Sequence, residues 1–86
     1  MIAQWKDAEA LRILESVVDQ LGLRLRYENM PTAGGFVKMQ GKGSFILSRS
    51  LATPERIEIL CRELQKLDLH DVYLLPAARK LIYGEE

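Results

Sequence analysis

The hydrophobic period of this chain changes at Gly22, and that change limits the folds it can reach. From Ala3 to Leu21 the apolar residues Trp5, Ala8, Leu11, Leu14, Val18 and Leu21 recur at steps of three and four. Such spacing lines one face of an α-helix. Leu23 to Asn29 alternates instead, with Leu23, Leu25 and Tyr27 on one side and Arg24, Arg26 and Glu28 on the other. A period of two belongs to a strand with one face in a core. Gly22 separates the two patterns and suits the left-handed conformation in which helices commonly end. An amphipathic helix followed at once by a half-buried strand points to an α+β domain in which the two share a core.

The remaining elements follow from local chemistry. Pro31 to Gly35 reads as a loop. Phe36–Gln40 and Ser44–Ser48 read as two further strands, joined by a turn at Gly41-Lys42-Gly43. The loop between the first two strands is short, which favours an antiparallel meander. Thr53-Pro54-Glu55 is a helix start, with the threonine hydroxyl as cap and proline in the first turn. Ile57, Leu60, Cys61, Leu64 and Leu67 form its buried stripe, and the helix should fade near Asp68. Pro76 opens a short last helix, Ala77 to Tyr83. The expected order is α-β-β-β-α-α, a three-stranded antiparallel sheet with helices packed on one face.

Helix one carries a second apolar strip, Ala10, Ile13 and Val17, expected to widen its core-facing surface. Were the strip exposed, it would mark a self-association or partner face; Tyr73 and Tyr83 could pack over the sheet's edge or join such a contact.

With 86 residues the chain makes one domain, 1–86, and not two. It has no repeat or linker to divide it, and nearly half of it is apolar. The single cysteine, Cys61, excludes an internal disulfide and fits a reducing compartment. No apolar run approaches the roughly 20 residues of a membrane helix. The first residues lack the basic-then-apolar form of a signal peptide, so the cytoplasm is the expected location.

Twelve basic and twelve acidic side chains cancel, which argues against a general binder of nucleic acid or anionic membrane. The cancellation hides an asymmetry. Residues 23–49 hold Arg24, Arg26, Lys38, Lys42 and Arg49 against Glu28 alone, a net of +4, while the segments on either side are each net −2. In a sheet covered on one side, Arg24, Arg26, Lys38 and Gln40 are expected on the open face. With Phe36, of the same parity as Lys38, they form a candidate interaction face: Arg24, Arg26, Phe36 and Lys38. The face suits a protein partner with an acidic or mixed surface, or, as an alternative, a single nucleic-acid strand held by phosphate contacts and base stacking. Open sheet faces also carry charge merely for solubility.

Reactive chemistry finds little support. Gly35 to Gly43 superficially imitates a phosphate-binding loop, but its glycine spacing is one residue too long, Gly43 stands where the metal-binding Ser or Thr belongs, and no helix follows. His70, between Asp68 and Asp71, is the only histidine, and one histidine with one cysteine does not make a usual zinc set. Its ordinary role is near a helix C-terminus, where positive charge is favourable. Cys61 falls on the core stripe as a small hydrophobe. No serine or cysteine has a recognisable base beside it.

The segment Arg56-Ile57-Glu58-Ile59-Leu60-Cys61-Arg62-Glu63-Leu64-Gln65-Lys66-Leu67-Asp68-Leu69-His70 resembles the active helix of ImmA/IrrE-type zinc peptidases. Upstream, the helix ending in Leu21-Gly22, the strand Leu25-Arg26-Tyr27, Gly34-Gly35 and Phe45-Ile46-Leu47-Ser48 follow a similar order. The likeness spans about residues 10–70 and implies a zincin-like scaffold. In that family two histidines at i and i+4 bind zinc and a glutamate activates water. Here the ligand positions hold Arg62 and Lys66, and only Glu63 matches, so the resemblance implies a scaffold without its metal. In length and in the ending Val72-Tyr73-Leu74-Leu75-Pro76 the chain resembles a family of small bacterial proteins, a likeness that carries no function across. The expectation is therefore a non-catalytic interaction or regulatory module with no cofactor, binding a protein partner or itself. Single-strand binding and a degenerate hydrolase using Glu63 and His70 are the alternatives.

Overall fold

The computed structural model describes residues 7–84. Helix α1, Asp7–Gln20, buries Ala10, Leu14, Val17 and Val18. The strip Ala10-Ile13-Val17 thus turns inward, with Ile13 half-buried, while Ala8 is exposed and Trp5 lies outside the described residues. The helix ends at Gly22, where the Leu23 N–H donates back to the Val18 carbonyl at 3.1 Å. Strand β1, Arg24–Glu28, follows directly and keeps the expected alternation.

The sheet departs from the expected meander. Strand β2 runs Gly34–Met39 and β3 runs Lys42–Ser48, and the spatial order is β1-β3-β2. β3 pairs antiparallel with β2 but parallel with β1, so the sheet is mixed. The expectation of a purely antiparallel sheet is corrected here. Parallel neighbours need a crossover of about a dozen residues, and segment 29–41 supplies one by containing β2 itself. β3 carries the unbroken apolar run Phe45-Ile46-Leu47, which is best buried at the centre, and the alternating β1 takes an edge.

The hairpin turn is also shorter than expected. Met39 pairs with Lys42, leaving Gln40 and Gly41 as a two-residue turn with φ of 54° and 78°. Both values lie in the left-handed region that matches the twist of adjoining strands. Gly34 has φ of 100°, and a side chain there would run into the Ile46 carbonyl, so glycine lets β2 approach β3 closely.

Helix α2 spans Thr53–Gln65 and buries Ile59, Leu60 and Leu64. Its cap is Ala52 rather than Thr53: the Ala52 carbonyl accepts from Glu55 N–H, and the Glu55 carboxylate accepts from Ala52 N–H at 2.8 Å. Helix α3, Pro76–Tyr83, opens at its proline and buries Ala78 and Ile82. Leu69 and Leu74, in the segment between α2 and α3, also enter the core. Leu14, Val18, Phe45, Leu47, Leu60, Leu64 and Ile82 are fully buried, so three helices and the central strand close one core on one side of the sheet. Two side chains hold α3 to α2: the Cys61 thiol donates to the Leu81 carbonyl at 3.3 Å and Gln65 Nε2 to the Ile82 carbonyl at 2.5 Å.

Candidate interaction site

The strand register assigns every sheet side chain to a face. Phe45 and Leu47 point into the core. Their Cα partners on β2, Phe36 and Gly34, point the same way, and so does Lys38, opposite Gly43. The Phe36 ring stands against Phe45 with centroids 5.0 Å apart at 60°. On the opposite face lie Arg24, Arg26 and Glu28 from β1, Lys42, Ser44 and Ile46 from β3, and Gly35 and Val37 from β2.

The four residues expected to form one interaction face are therefore divided. Arg24 and Arg26 share the open face, while Phe36 and Lys38 belong to the helix-side face, Phe36 half-buried against the core and Lys38 exposed beyond it. Gln40 leaves the strand for the turn. Parity within β2 alone does not reveal this, because it leaves open which side of β2 is inward. Among the described residues the open face therefore carries no aromatic side chain on which a base could stack.

What the open face does present is an apolar centre with a charged margin. Ile46, half-buried, faces Gly35, whose added Cβ would meet nothing within 4 Å, so a shallow gap leaves the isoleucine approachable. Val37 beside it is 39% exposed, a large value for a strand valine. Arg24, Arg26 and Lys42 surround this centre. Arg26 is paired with Glu28 at 3.2 Å. Arg24 and Lys42 have no ion pair among the described residues. With Gln40 and Ser44 they line a concavity of about 280 Å³ at the hairpin end. The sequence clue to this face is the net +4 of residues 23–49, which counts Lys42 but does not place it on the face, and Ser44 and Ile46 carry no such signal.

At the far end of β1 a polar cluster serves the fold. The Tyr27 hydroxyl donates to Glu15 Oε2 at 2.6 Å, and the Arg56 guanidinium lies 4.5 Å from the centre of the Tyr27 ring. Arg56 also donates to the carbonyls of Leu51 and Arg49, and Arg49 to that of Tyr27. Burial first, then the hydrogen bond to Glu15 and its charge, hold the Tyr27 phenol protonated well above its ordinary range, against the opposing charge of Arg56. The cluster ties α1, β1 and α2 together.

The residues of the peptidase resemblance sit on α2 and just after it. Glu63 Oε2 lies 3.6 Å from Arg62 Nε and 3.2 Å from Lys66 Nζ. The two cations that stand at the ligand positions thus hold the carboxylate between them. His70 is exposed, and its backbone N–H donates to Asp68 Oδ1 at 3.1 Å. Cys61 is half-buried, and burial pushes its thiol up to about 11. No group of three or more His, Cys, Asp or Glu placed to hold a metal ion occurs among the described residues. A second concavity, of about 350 Å³ between α1 and α3, is bounded by Ile13, Val17, Leu75 and Ala78 with Glu9 and Arg12 at its rim.

No helix among the described residues is long and apolar enough to cross a membrane. Comparison of the chain with protein-family models, with curated proteins and with solved structures finds no match.

Proposed function

We propose that this protein is a non-catalytic interaction module that docks an acidic segment of a partner protein on the open face of its sheet. The observation that carries this reading is the composition of that face: Ile46 and Val37 at its centre, ringed by Arg24, Arg26 and Lys42, with Glu28 the only acid on it among the described residues. An apolar centre inside a polar margin is the anatomy of a protein interface. The unneutralised cations select for an acidic partner and speed its approach. The opposite layer has the other sign where α1 begins the chain's described part: residues 7–22 hold Arg12 against Asp7, Glu9, Glu15 and Asp19. An acidic partner is thereby steered to the sheet and away from α1.

A photo-crosslinking residue at Val37, with a control at exposed Ala8, tests the reading in extracts of cells native to the chain. The expected result is a crosslink from position 37 to an acidic segment of one protein. Arg24→Glu with Lys42→Glu should abolish it, and so should Gly35→Glu, whose Cβ meets nothing within 4 Å and whose carboxylate repels an acidic partner beside Ile46. Equal capture from both positions, or capture that survives these substitutions, refutes the reading. A crosslink to a second copy of the chain or to nucleic acid replaces it.

A further inference from the structure

We infer that the hairpin end of the open face is a subsite for a phosphoryl group, bound by Arg24 and Lys42 with Ser44 and Gln40. The inference deepens the docking reading, on which its biological setting rests, by naming the group recognised at this corner.

Two separate pieces of chain, the start of β1 and the hairpin segment 40–44, bring these residues together. Arg24 begins β1, and its Cα partner across the parallel ladder is Ser44. Lys42 lies two residues before Ser44 on β3 and so shares its face. Gln40 occupies the turn, with φ of 54°, the one non-glycine residue of positive φ among the described residues. Glycine, asparagine or aspartate is the usual occupant of such a position. A glutamine there accepts strain, and it is one of the residues that line the concavity. Strained backbone of this kind concentrates at functional sites.

The charge of the corner is incomplete by itself. Among the described residues no carboxylate lines it, and Glu28, the one acid of residues 23–49, is committed to Arg26. Two cations left side by side without a counter-charge repel each other, and an anion between them removes that cost. The donors match a phosphoryl group in number and charge. A guanidinium, an ammonium, a hydroxyl and an amide serve three terminal oxygens, and two positive charges meet the roughly −1.5 to −2 of a phosphomonoester at neutral pH. A carboxylate brings one charge and two oxygens and uses half of this set. The volume, about 280 Å³, lies just under the roughly 300–1,000 Å³ of typical small-molecule sites. It admits a phosphoryl group and a few further atoms, and leaves a nucleotide mostly outside.

Heteronuclear NMR at constant ionic strength provides the test. Inorganic phosphate, acetate, an acidic phosphoserine peptide and its unphosphorylated form are titrated separately. Phosphate is expected to give saturable shifts at the Lys42 and Ser44 amides and at Arg24 Nε–H, with acetate roughly tenfold weaker or worse, a gap of about 1.4 kcal/mol. Arg24→Gln with Lys42→Gln, both at exposed positions, should weaken phosphate at least roughly tenfold without altering the melting temperature. Tighter binding of the phosphopeptide than of free phosphate assigns the group to a modified protein, and equal affinity assigns it to the free ion. Linear shifts without saturation, shifts lying elsewhere, equal binding of acetate, or an unchanged response in the double variant each overturn the subsite. Phosphate binding that persists when Val37 crosslinking fails would refute the docking reading and leave the subsite standing.

Discussion

Gly43 shows what a single residue contributes that its neighbours in sequence do not disclose. Between Gly41 and Ser44 it reads as a turn residue, yet it lies within β3, under the Phe36 ring. A methyl group added there would stand 2.5 Å from Phe36 Cζ and 3.0 Å from Leu23 Cδ2. The ring is already held against Phe45, so it has little freedom to yield. Gly43→Ala should cost about 1–3 kcal/mol, the usual range for overpacking, read as a lower urea midpoint at unchanged slope. In a Phe36→Leu background the same substitution should cost about 1 kcal/mol less, because the two nearest obstructing atoms, both of the Phe36 ring, are gone while Leu23 Cδ2 remains. An equal cost in both backgrounds would refute the steric account. Lys38 and Phe36 teach the same lesson: their shared parity was legible, but which side of the sheet it meant depended on Phe45 across the ladder.

Elements were legible where their signals are local. All three helices and all three strands arise where the apolar period and the Gly and Pro residues place them, with ends displaced by a few residues, the expected start of the first helix at Ala3 lying outside the described residues. The start of α2 shows why ends move. Thr53 has the chemistry of a cap, but Ala52 occupies the cap position with extended dihedrals of −72° and 157°. Glu55 reaches back to the Ala52 N–H and supplies half of a capping box. The other half is absent, since alanine has no side-chain acceptor. Ala52→Ser should therefore stabilise the protein by about 0.5–1 kcal/mol, whereas Thr53→Ala should change it by only a few tenths. Thermal unfolding of the two variants decides the matter, and a larger loss from Thr53→Ala than gain from Ala52→Ser would return the cap to the threonine.

As a whole the described residues form a thin body, with extents of 34 × 30 × 16 Å, because one layer of helices covers one side of a small sheet and no described element covers the other. Its core is shared by every element, so groups that titrate inside it act on global stability. Cys61 is pushed up to about 11 from its ordinary 9.0 by burial, and Tyr27 is raised above its ordinary 10.0 by burial and by Glu15. In both cases the native state keeps its proton to higher pH than the unfolded chain. Linkage then lowers stability wherever the unfolded chain has released a proton that the native state retains. Stability should be level with respect to these groups below about pH 9, fall as the unfolded thiol ionises towards 11, and fall more steeply above 10 once Tyr27 joins. Urea midpoints measured across this range should follow that course. Cys61→Ala should remove the earlier part of the decline and Tyr27→Phe the later part. A flat profile would mean that neither group is shielded as the structure has it.

Taken alone, the sequence determined the repertoire of helices and strands, their amphipathic sides and the basic middle segment, since these depend on residues within a turn or two of one another. Tertiary structure decided the strand order, the direction of β1 against β3 and the membership of the open face. Loops of this length permit several pairings, and the choice falls to whichever strand best fills the centre of the sheet. Phe45-Ile46-Leu47 wins that place, and its arrival beside Arg24 brings Lys42 and Ser44 to a surface that no local pattern could have assembled.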